Sequence, residues 1–388
     1  MNEPAAFKEK NVTLWHKDFV LLLMVNVLLH ASVYLQFAVS CHGEAEGMPY
    51  GGNVTGITLL AFILGMFIPG PLNSYLVDTF RRKNVLMYSV LLYAVLSPAC
   101  MYVSSGGILF LLRLFQGGAF ATALMASGAT LAIDTTPSVK RNAAGRVFTC
   151  FSIIGMLIGF IFGYWGGLAL SFEQWMYVSS ALCLLSVPAI MMIKVCFRAP
   201  LNLPLFSLDR FILPRTLLPG VNLMAVSLTL GVVFVTVSDV LFYLFAGAGF
   251  LCYLFFSKMS FFGKTSRLAV VVGQLLVGAG IVMLIYCKGS GFLYGSALLI
   301  GLGSALSLSC MLRIMILLSS HCERGTGYHT YQLLWESGIV AGIWWVLHGY
   351  LSDSSRAYTL ALAVCGVTLL LYVLLTHSYF TKRYTSQI

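Results

Sequence analysis

The side chains best placed to do chemistry in this 388-residue chain are a few ionisable residues inside long apolar segments. Glu336 is the only one of the 13 acidic residues that sits well inside such a segment, at a predicted depth of roughly 9 Å. Arg313 has the same predicted depth in the preceding segment. We therefore predict an ion pair between Glu336 and Arg313 that couples proton or substrate movement to conformational change. A static buried pair is the structural alternative.

Two further ionisable residues lie in the first and fourth apolar segments. His30 and Arg113 both have predicted depths of roughly 18–20 Å from the same membrane face. A histidine changes charge near neutral pH, so His30 is a second candidate for proton coupling, with a hydrogen-bonded structural histidine as the alternative. Arg113 keeps its charge, which predicts a fixed positive site for an anionic group or a partner for a carboxylate.

Four more side chains are predicted to line a substrate cavity together with Arg113: Asn26, Asn222, Tyr331 and Trp335. The two asparagines could equally join neighbouring helices by hydrogen bonds. The two aromatic rings could stack a flat or amphipathic substrate beside Glu336.

The composition identifies the elements that must position these residues. Hydrophobic residues make up 59% of the chain and charged residues 9%, whereas a soluble domain is about 45–50% apolar and about 25% charged. So few charges cannot cover a water-soluble surface, which excludes soluble enzymes and nucleic-acid binders. The expected partners are the lipid bilayer and a small-molecule substrate.

The apolar segments predict an all-α membrane protein with twelve transmembrane helices. The longest connection between them, 197–216, separates an N-terminal six-helix half, 1–196, from a C-terminal six-helix half, 217–388. The predicted spans lie near 18–40, 54–77, 84–103, 107–133, 147–169, 174–196, 217–237, 240–257, 267–287, 292–319, 330–351 and 357–378.

The basic residues predict the orientation of the chain. Short Lys and Arg clusters fall on the side that holds both termini, and Lys288 and Arg356 fall on the opposite side. Basic loops face the cytoplasm. The sequence therefore predicts a multi-pass protein of the cytoplasmic (inner) membrane with both termini in the cytoplasm.

An internal repeat relates the two halves. A shift of 183 residues places Gly155 and Gly159 of the fifth span on Gly338 and Gly342 of the eleventh. Glycines spaced by four allow two helices to approach closely, so these four are predicted to pack helices, with a gating role as the alternative. Duplicated six-helix halves are typical of secondary transporters.

Several motifs resemble those of the major facilitator superfamily over nearly the whole chain. The segment Ser74-Tyr-Leu-Val-Asp78-Thr-Phe-Arg81-Arg82-Lys83 is similar to the family's loop motif G-x-x-x-D-R-x-G-R-R/K, although Ser74, Thr79 and Arg81 depart from it. Arg113-Leu-Phe-Gln116-Gly117 resembles the R-x-x-Q-G motif of the fourth helix. The glycine series of the fifth span resembles the motif associated with antiporters, with Phe160 in place of its proline.

Four charged residues near these motifs are predicted to form a gate. Asp78 ends the second span, Asp134 ends the fourth, and Arg81 and Arg82 lie close to Asp78 in sequence and could reach Asp134. Such a cluster could hold one transporter conformation shut and break in the other. Generic interfacial charge is the alternative.

The resemblance implies a secondary active transporter, similar to bacterial drug:proton antiporters, that works by alternating access. We predict proton-coupled efflux of an amphipathic compound, with the proton gradient as energy source, no metal or cofactor, and a monomeric protein. The alternatives are proton-coupled uptake of a sugar, peptide or cell-wall fragment, and more distantly a membrane-embedded lipid enzyme.

Overall fold

The computed structural model describes residues 13–42, 52–103, 105–137, 140–166, 170–194, 204–256, 266–349 and 354–385, which form twelve helical spans. These are α1 (Lys17–His42), α2 (Gly52–Phe67, continued by Gly70–Leu72 and Asn73–Thr79), α3 (Arg82–Ala99), α4 (Gly106–Thr135), α5 (Arg141–Gly166), α6 (Phe172–Met192), α7 (Leu217–Thr236), α8 (Val240–Phe256), α9 (Ser266–Tyr286), α10 (Ser290–Leu317), α11 (Arg324–Gly349) and α12 (Ser354–Leu371, continued by Tyr372–Thr376 and His377–Thr385).

The predicted all-α fold is confirmed, because each predicted span corresponds to one of these helices. Nine of the described helices are long and apolar enough to cross a membrane. The remaining three are α3, α8 and α11. In α11 the residues from 327 to 340 are all buried, so the polar side chains of this stretch face protein rather than lipid.

The helix boundaries differ from the predicted ones where polar residues begin or interrupt a helix. Helix α11 begins at Arg324, six residues before the predicted start of the eleventh span. Helix α2 is interrupted after Phe67 because Pro69 and Pro71 lack the amide hydrogen that a continuous helix needs.

Equivalent helices pack in the same way in the two halves. Helix α1 packs against α5 and α6, and α7 correspondingly packs against α11 and α12. Helix α2 packs against α4, and α8 correspondingly packs against α10. Between the halves, α2 and α4 contact α11, and α5 contacts α8. We call the membrane side on which α1 begins and α12 ends the termini side, and the opposite side the far side.

The repeated glycines lie at the closest contacts inside each half. A Cβ atom on Gly155 would lie 2.6 Å from the Val27 carbonyl oxygen, and one on Gly159 would lie 2.7 Å from the Ala31 carbonyl oxygen, both on α1. In the other half, a Cβ on Gly342 would overlap the backbone of α7. The glycines therefore join α5 to α1 and α11 to α7, which favours the packing role over the gating role.

We predict that Gly159→Ala lowers the stability of the protein by about 1–3 kcal/mol, because the added methyl group overpacks the contact with α1. Thermal unfolding in detergent measures the effect. Gly366→Ala is the matched control, since a Cβ there has no atom within 4 Å and alanine is the better helix former. Equal stability of Gly159→Ala and the wild type would contradict a tight α1–α5 contact.

Candidate functional site

The carboxylate of Glu336 on α11 is held by two side chains of α1. His30 Nε2 lies 3.1 Å from Glu336 Oε1, and the Tyr34 hydroxyl donates a hydrogen bond to Glu336 Oε2. His30 and Tyr34 are fully buried, and Glu336 is 2% exposed. Glu336 lies twelve residues from the start of α11, about 18 Å along the helix. The contact therefore joins the two halves near the middle of the membrane.

The hydrogen bonds of this site require one shared proton. His30 Nδ1 lies 2.8 Å from the Asn26 carbonyl oxygen, which can only accept, so Nδ1 carries a hydrogen. The contact between His30 Nε2 and Glu336 Oε1 then needs a hydrogen on one of these two atoms. The pair is either imidazolium with carboxylate or neutral imidazole with carboxylic acid, and a proton can pass between them.

The sequence of α1 places these groups on one face. Asn26, His30 and Tyr34 follow one another at intervals of four residues, which aligns them along a helix. Asn26 Nδ2 donates to the Phe148 carbonyl oxygen and to Ser152 Oγ on α5, both at 2.9 Å. Asn26 thus fixes α1 against α5 and supports His30, rather than lining an open cavity.

Glu336 and Arg313 do not form the predicted pair. Arg313 is exposed on α10 and lies four residues before the end of that helix, about 6 Å from its end. Glu336 lies about three times as deep, because α11 begins earlier and α10 ends earlier than predicted. Its two carboxylate oxygens contact His30 and Tyr34 instead.

Arg113 lies in a separate polar cluster inside the N-terminal half. It donates to Gln36 Oε1 at 2.9 Å and to Gln116 Oε1 at 2.8 Å. The two glutamines also hydrogen-bond Ser97 on α3, and Gln36 contacts Ser179 on α6. Among the described residues Arg113 forms no salt bridge, so neutral amides and hydroxyls surround its charge. The cluster joins α1, α3, α4 and α6.

The other predicted cavity residues are packed inside the C-terminal half. Asn222 Nδ2 donates to the Thr368 carbonyl oxygen at 2.8 Å and so joins α7 to α12. The Tyr331 hydroxyl donates to the Leu308 carbonyl oxygen at 3.4 Å, and Trp335 is buried among apolar side chains. In this conformation these residues hold helices together.

On the far side, aromatic residues from both halves close over the Glu336 site. The ring of Phe160 on α5 stacks on Tyr243 of α8 with a centroid separation of 5.3 Å. The Tyr164 hydroxyl donates to the Phe234 carbonyl oxygen of α7 at 2.9 Å. Phe160, which replaces the antiporter proline, thus contributes to an apolar closure between the halves.

On the termini side, Arg82 joins two of the acidic residues that the sequence predicted as a gate. Its guanidinium bonds Asp78 Oδ1 at 3.0 Å and also bonds Asp134. Arg210 of the connection between the halves bonds Asp78 Oδ2 at 2.9 Å. Arg81 is exposed. The charged cluster therefore consists of Asp78, Arg82, Asp134 and Arg210.

The connection between the halves is bound to both of them. Asn73 of α2 donates to the Arg210 carbonyl oxygen at 3.3 Å, and the Leu213 amide donates to Thr330 of α11 at 3.0 Å. Arg215 bonds Glu323 at 3.1 Å. The hydrogen bond from the Ser320 hydroxyl is the main cause that lowers the pKa of Glu323, and the Arg215 charge adds to it.

Sequence reasoning missed Tyr34 and Arg210. Tyr34 follows His30 by four residues, a spacing that could have marked it as a neighbour on the same helix face. Arg210 carries a charge in the central connection but has no sequence spacing that relates it to Asp78. Its backbone has φ = 59°, an uncommon value for a residue other than glycine.

Comparison with known proteins agrees with this architecture. No curated protein sequence matches the chain. Two solved structures are similar to it: the nucleoside transporter NupG, with a TM-score of 0.66 and 14% identity, and the human organic anion transporter MFSD10 (TETRAN), with a TM-score of 0.65 and 15% identity. Each alignment covers 92% of this chain and 98% of the other chain. At such low identity the similarity concerns the fold.

The sequence model of the Major Facilitator Superfamily matches residues 24–269, which is more than half of the chain. The match begins in α1 and ends in α9, so it covers most of the N-terminal half and continues into the second. Together with the twelve-helix fold, this match shows that the protein belongs to the Major Facilitator Superfamily and is a multi-pass membrane transporter rather than an enzyme.

Proposed function

We propose that the protein is a proton-coupled secondary transporter in which Glu336 carries the proton. The main support for this proposal is the hydrogen-bonded contact of Glu336 with His30 and Tyr34. It is buried, it joins the two halves, and its bonding depends on one proton. Intramembrane ionisable residues of this kind mark proton relays in transporters.

Protonation and separation of the halves are linked by the cost of a buried charge. Moving α1 away from α11 would remove both hydrogen-bond partners of Glu336. An unpaired acidic side chain at the centre of a membrane helix costs at least about 2.5–3.5 kcal/mol. If the shared proton stays on Glu336, the carboxylic acid is neutral and His30 is neutral, so the halves separate without exposing a charge to the membrane interior.

We propose that the protein lies in the cytoplasmic (inner) membrane and that its termini side faces the cytoplasm. The support is the concentration of Lys and Arg on that side of the predicted topology. The charged cluster of Asp78, Arg82, Asp134 and Arg210 is then a cytoplasmic closure, and the aromatic contact of Phe160 and Tyr243 is the outer closure.

We further propose that a monomer exports an amphipathic small molecule in exchange for protons. The support is the Arg113 motif, which resembles that of the family's fourth helix, together with the partial glycine motif of Gly155 and Gly159, which resembles that of antiporters. Uptake of a nutrient is the alternative. The substrates to screen include nucleosides and organic anions, because the names of the two structural neighbours mention these classes.

Transport direction is tested by counterflow in proteoliposomes under an imposed pH gradient, after a thermal-shift screen has identified a ligand. An exporter moves the compound against the direction of the proton flow. Accumulation of the compound in the direction of the proton flow would show uptake and contradict the proposed export.

We predict that Glu336→Gln abolishes transport driven by a pH gradient but retains substrate binding and substrate exchange. Glutamine has nearly the same shape and can still hydrogen-bond His30 and Tyr34, so stability should change by no more than about 1 kcal/mol. The amide cannot carry the proton. Comparison of driven uptake with exchange in the same vesicles measures the effect.

Glu173→Gln is the matched control for this experiment. Glu173 is an exposed carboxylate at the start of α6, and its replacement should leave driven transport unchanged. Driven transport by Glu336→Gln at the wild-type rate would show that Glu336 has a structural role and would refute the proposed proton path.

We predict that Arg210→Gln increases the open population on the termini side about fivefold. A partly exposed ion pair contributes up to about 1 kcal/mol, which corresponds to this change in population. Spin labels on Cys322 and on Asn142→Cys, in a variant from which the other cysteines have been removed, measure the distance between the halves by double electron–electron resonance. Both positions are exposed.

Arg81→Gln is the control for this prediction, because Arg81 has the same charge and is exposed beside Arg82. Its distance distribution should match that of the wild type. An unchanged distribution for Arg210→Gln, or an equal shift in both variants, would contradict a specific role of the Arg210–Asp78 pair.

A further inference from the structure

A cavity of about 420 Å³ lies between the two halves on the termini side. Its walls come from α2, α3, α4 and α5 of the N-terminal half, from α10 and α11 of the C-terminal half, and from the connection between the halves. Small-molecule sites in proteins have volumes of roughly 300–1,000 Å³. The cavity is therefore large enough for a small organic molecule.

The cavity carries more positive than negative side chains. Four arginines line it, Arg82, Arg141, Arg210 and Arg324, together with two carboxylates, Asp78 and Asp134. Both carboxylates are bonded by Arg82 or Arg210. In the described parts of the chain, neither Arg141 nor Arg324 forms a salt bridge. The described residues that line the cavity therefore carry an excess of positive charge.

Part of each of these two guanidinium groups is buried without a partner. The Nε atoms of Arg141 and Arg324 are shielded from solvent and make no hydrogen bond. Leaving a buried donor unsatisfied is costly. Both arginines line the cavity, so an anion there could supply acceptor oxygens to the terminal nitrogens of their guanidinium groups, which bind phosphate and carboxylate oxygens strongly.

The backbone adds to the positive field of the cavity. Arg141 is the first residue of α5, Arg324 is the first residue of α11, and the internal repeat relates these two positions. First-turn residues of both helices line the cavity. Helix N-termini carry unpaired amide hydrogens and a positive partial charge, which favour anions.

We propose that this cavity binds a soluble organic anion with a phosphate or dicarboxylate group, recognised by Arg141 and Arg324. The side chains of Ile133, Ile316 and Tyr328 also line the cavity and would contact the less polar part of the molecule. Because one arginine belongs to each half, the bound anion stabilises the conformation in which the halves meet on the termini side. This site is separate from Glu336 and does not depend on the proposed proton path.

Binding is tested with full-length protein in phosphatidylcholine nanodiscs at constant ionic strength. Phenyl phosphate is the anionic probe and phenol is its neutral counterpart. We expect saturable thermal stabilisation by phenyl phosphate and none by phenol. The double variant Arg141→Gln/Arg324→Gln should bind phenyl phosphate at least about tenfold more weakly, because two charge-assisted contacts are lost.

Two further variants make the result specific. Arg146→Gln is the matched control, since Arg146 is exposed on the same helix as Arg141 and does not line the cavity; it should bind as the wild type does. Arg141→Lys/Arg324→Lys keeps the charge but loses the planar fork of the guanidinium, so binding should weaken less than in the glutamine variant. The lysine variant provides the test if the glutamine variant does not fold.

Three outcomes would overturn the proposal. The first is that phenol stabilises the protein as much as phenyl phosphate does. The second is that Arg146→Gln weakens phenyl phosphate binding as much as the cavity variants do. The third is that stabilisation appears only when phosphatidylglycerol is added to the nanodiscs. The last outcome would show a lipid headgroup site. Glu336→Gln should bind phenyl phosphate as the wild type does, so failure of the proton path and failure of the anion site are distinguishable.

Discussion

The pairing of one carboxylate across the middle of the membrane constrains the rest of the molecule. Glu336 can remain in an apolar environment because His30 and Tyr34 bond both of its oxygens and water is excluded. This contact requires His30 and Tyr34 of α1 to lie at the same depth as Glu336 of α11. Each helix is held in place by a glycine contact inside its own half, α1 by Gly159 of α5 and α11 through its own Gly342 against α7.

The two membrane sides are closed by interactions of different physical kinds. The far side is closed by aromatic rings such as Phe160 and Tyr243, whose contact is apolar and tolerates small displacements. The termini side is closed by directional bonds of the connecting segment, among them those of Arg210 to Asp78 and of Leu213 to Thr330. Salt and charge substitution act on the second closure and leave the first largely unaffected.

Arg113 shows how the N-terminal half tolerates a buried cation without a carboxylate. Its hydrogen bonds to Gln36 and Gln116, which are themselves bonded to Ser97 and Ser179, distribute the charge over a network of neutral dipoles. The network joins four helices of one half. It therefore keeps α1 in register with its neighbours and so indirectly positions His30.

Sequence alone determined the features that depend on local chain properties. Hydropathy and segment length predicted the twelve helices, because each span must be apolar over the thickness of a membrane. The spacing of Gly155 and Gly159, repeated in α11, gave the close helix contacts, since a backbone contact needs only small residues on one helix face. The sequence also selected Glu336 and His30, because ionisable residues inside apolar spans are rare.

The partners of these residues were decided by the tertiary structure. Two properties determine whether Glu336 meets Arg313 or His30: the starting point of α11, and which helix lies against its polar face. The starting point of α11 was predicted too late because polar residues follow Arg324. Which helix faces Glu336 depends on contacts between residues some 300 positions apart in sequence. The ion pair of Arg210 with Asp78 likewise joins residues that are distant in sequence, so it depends on the tertiary structure. Local patterns limit which side chains can form a site, whereas the arrangement of whole helices determines which of them touch.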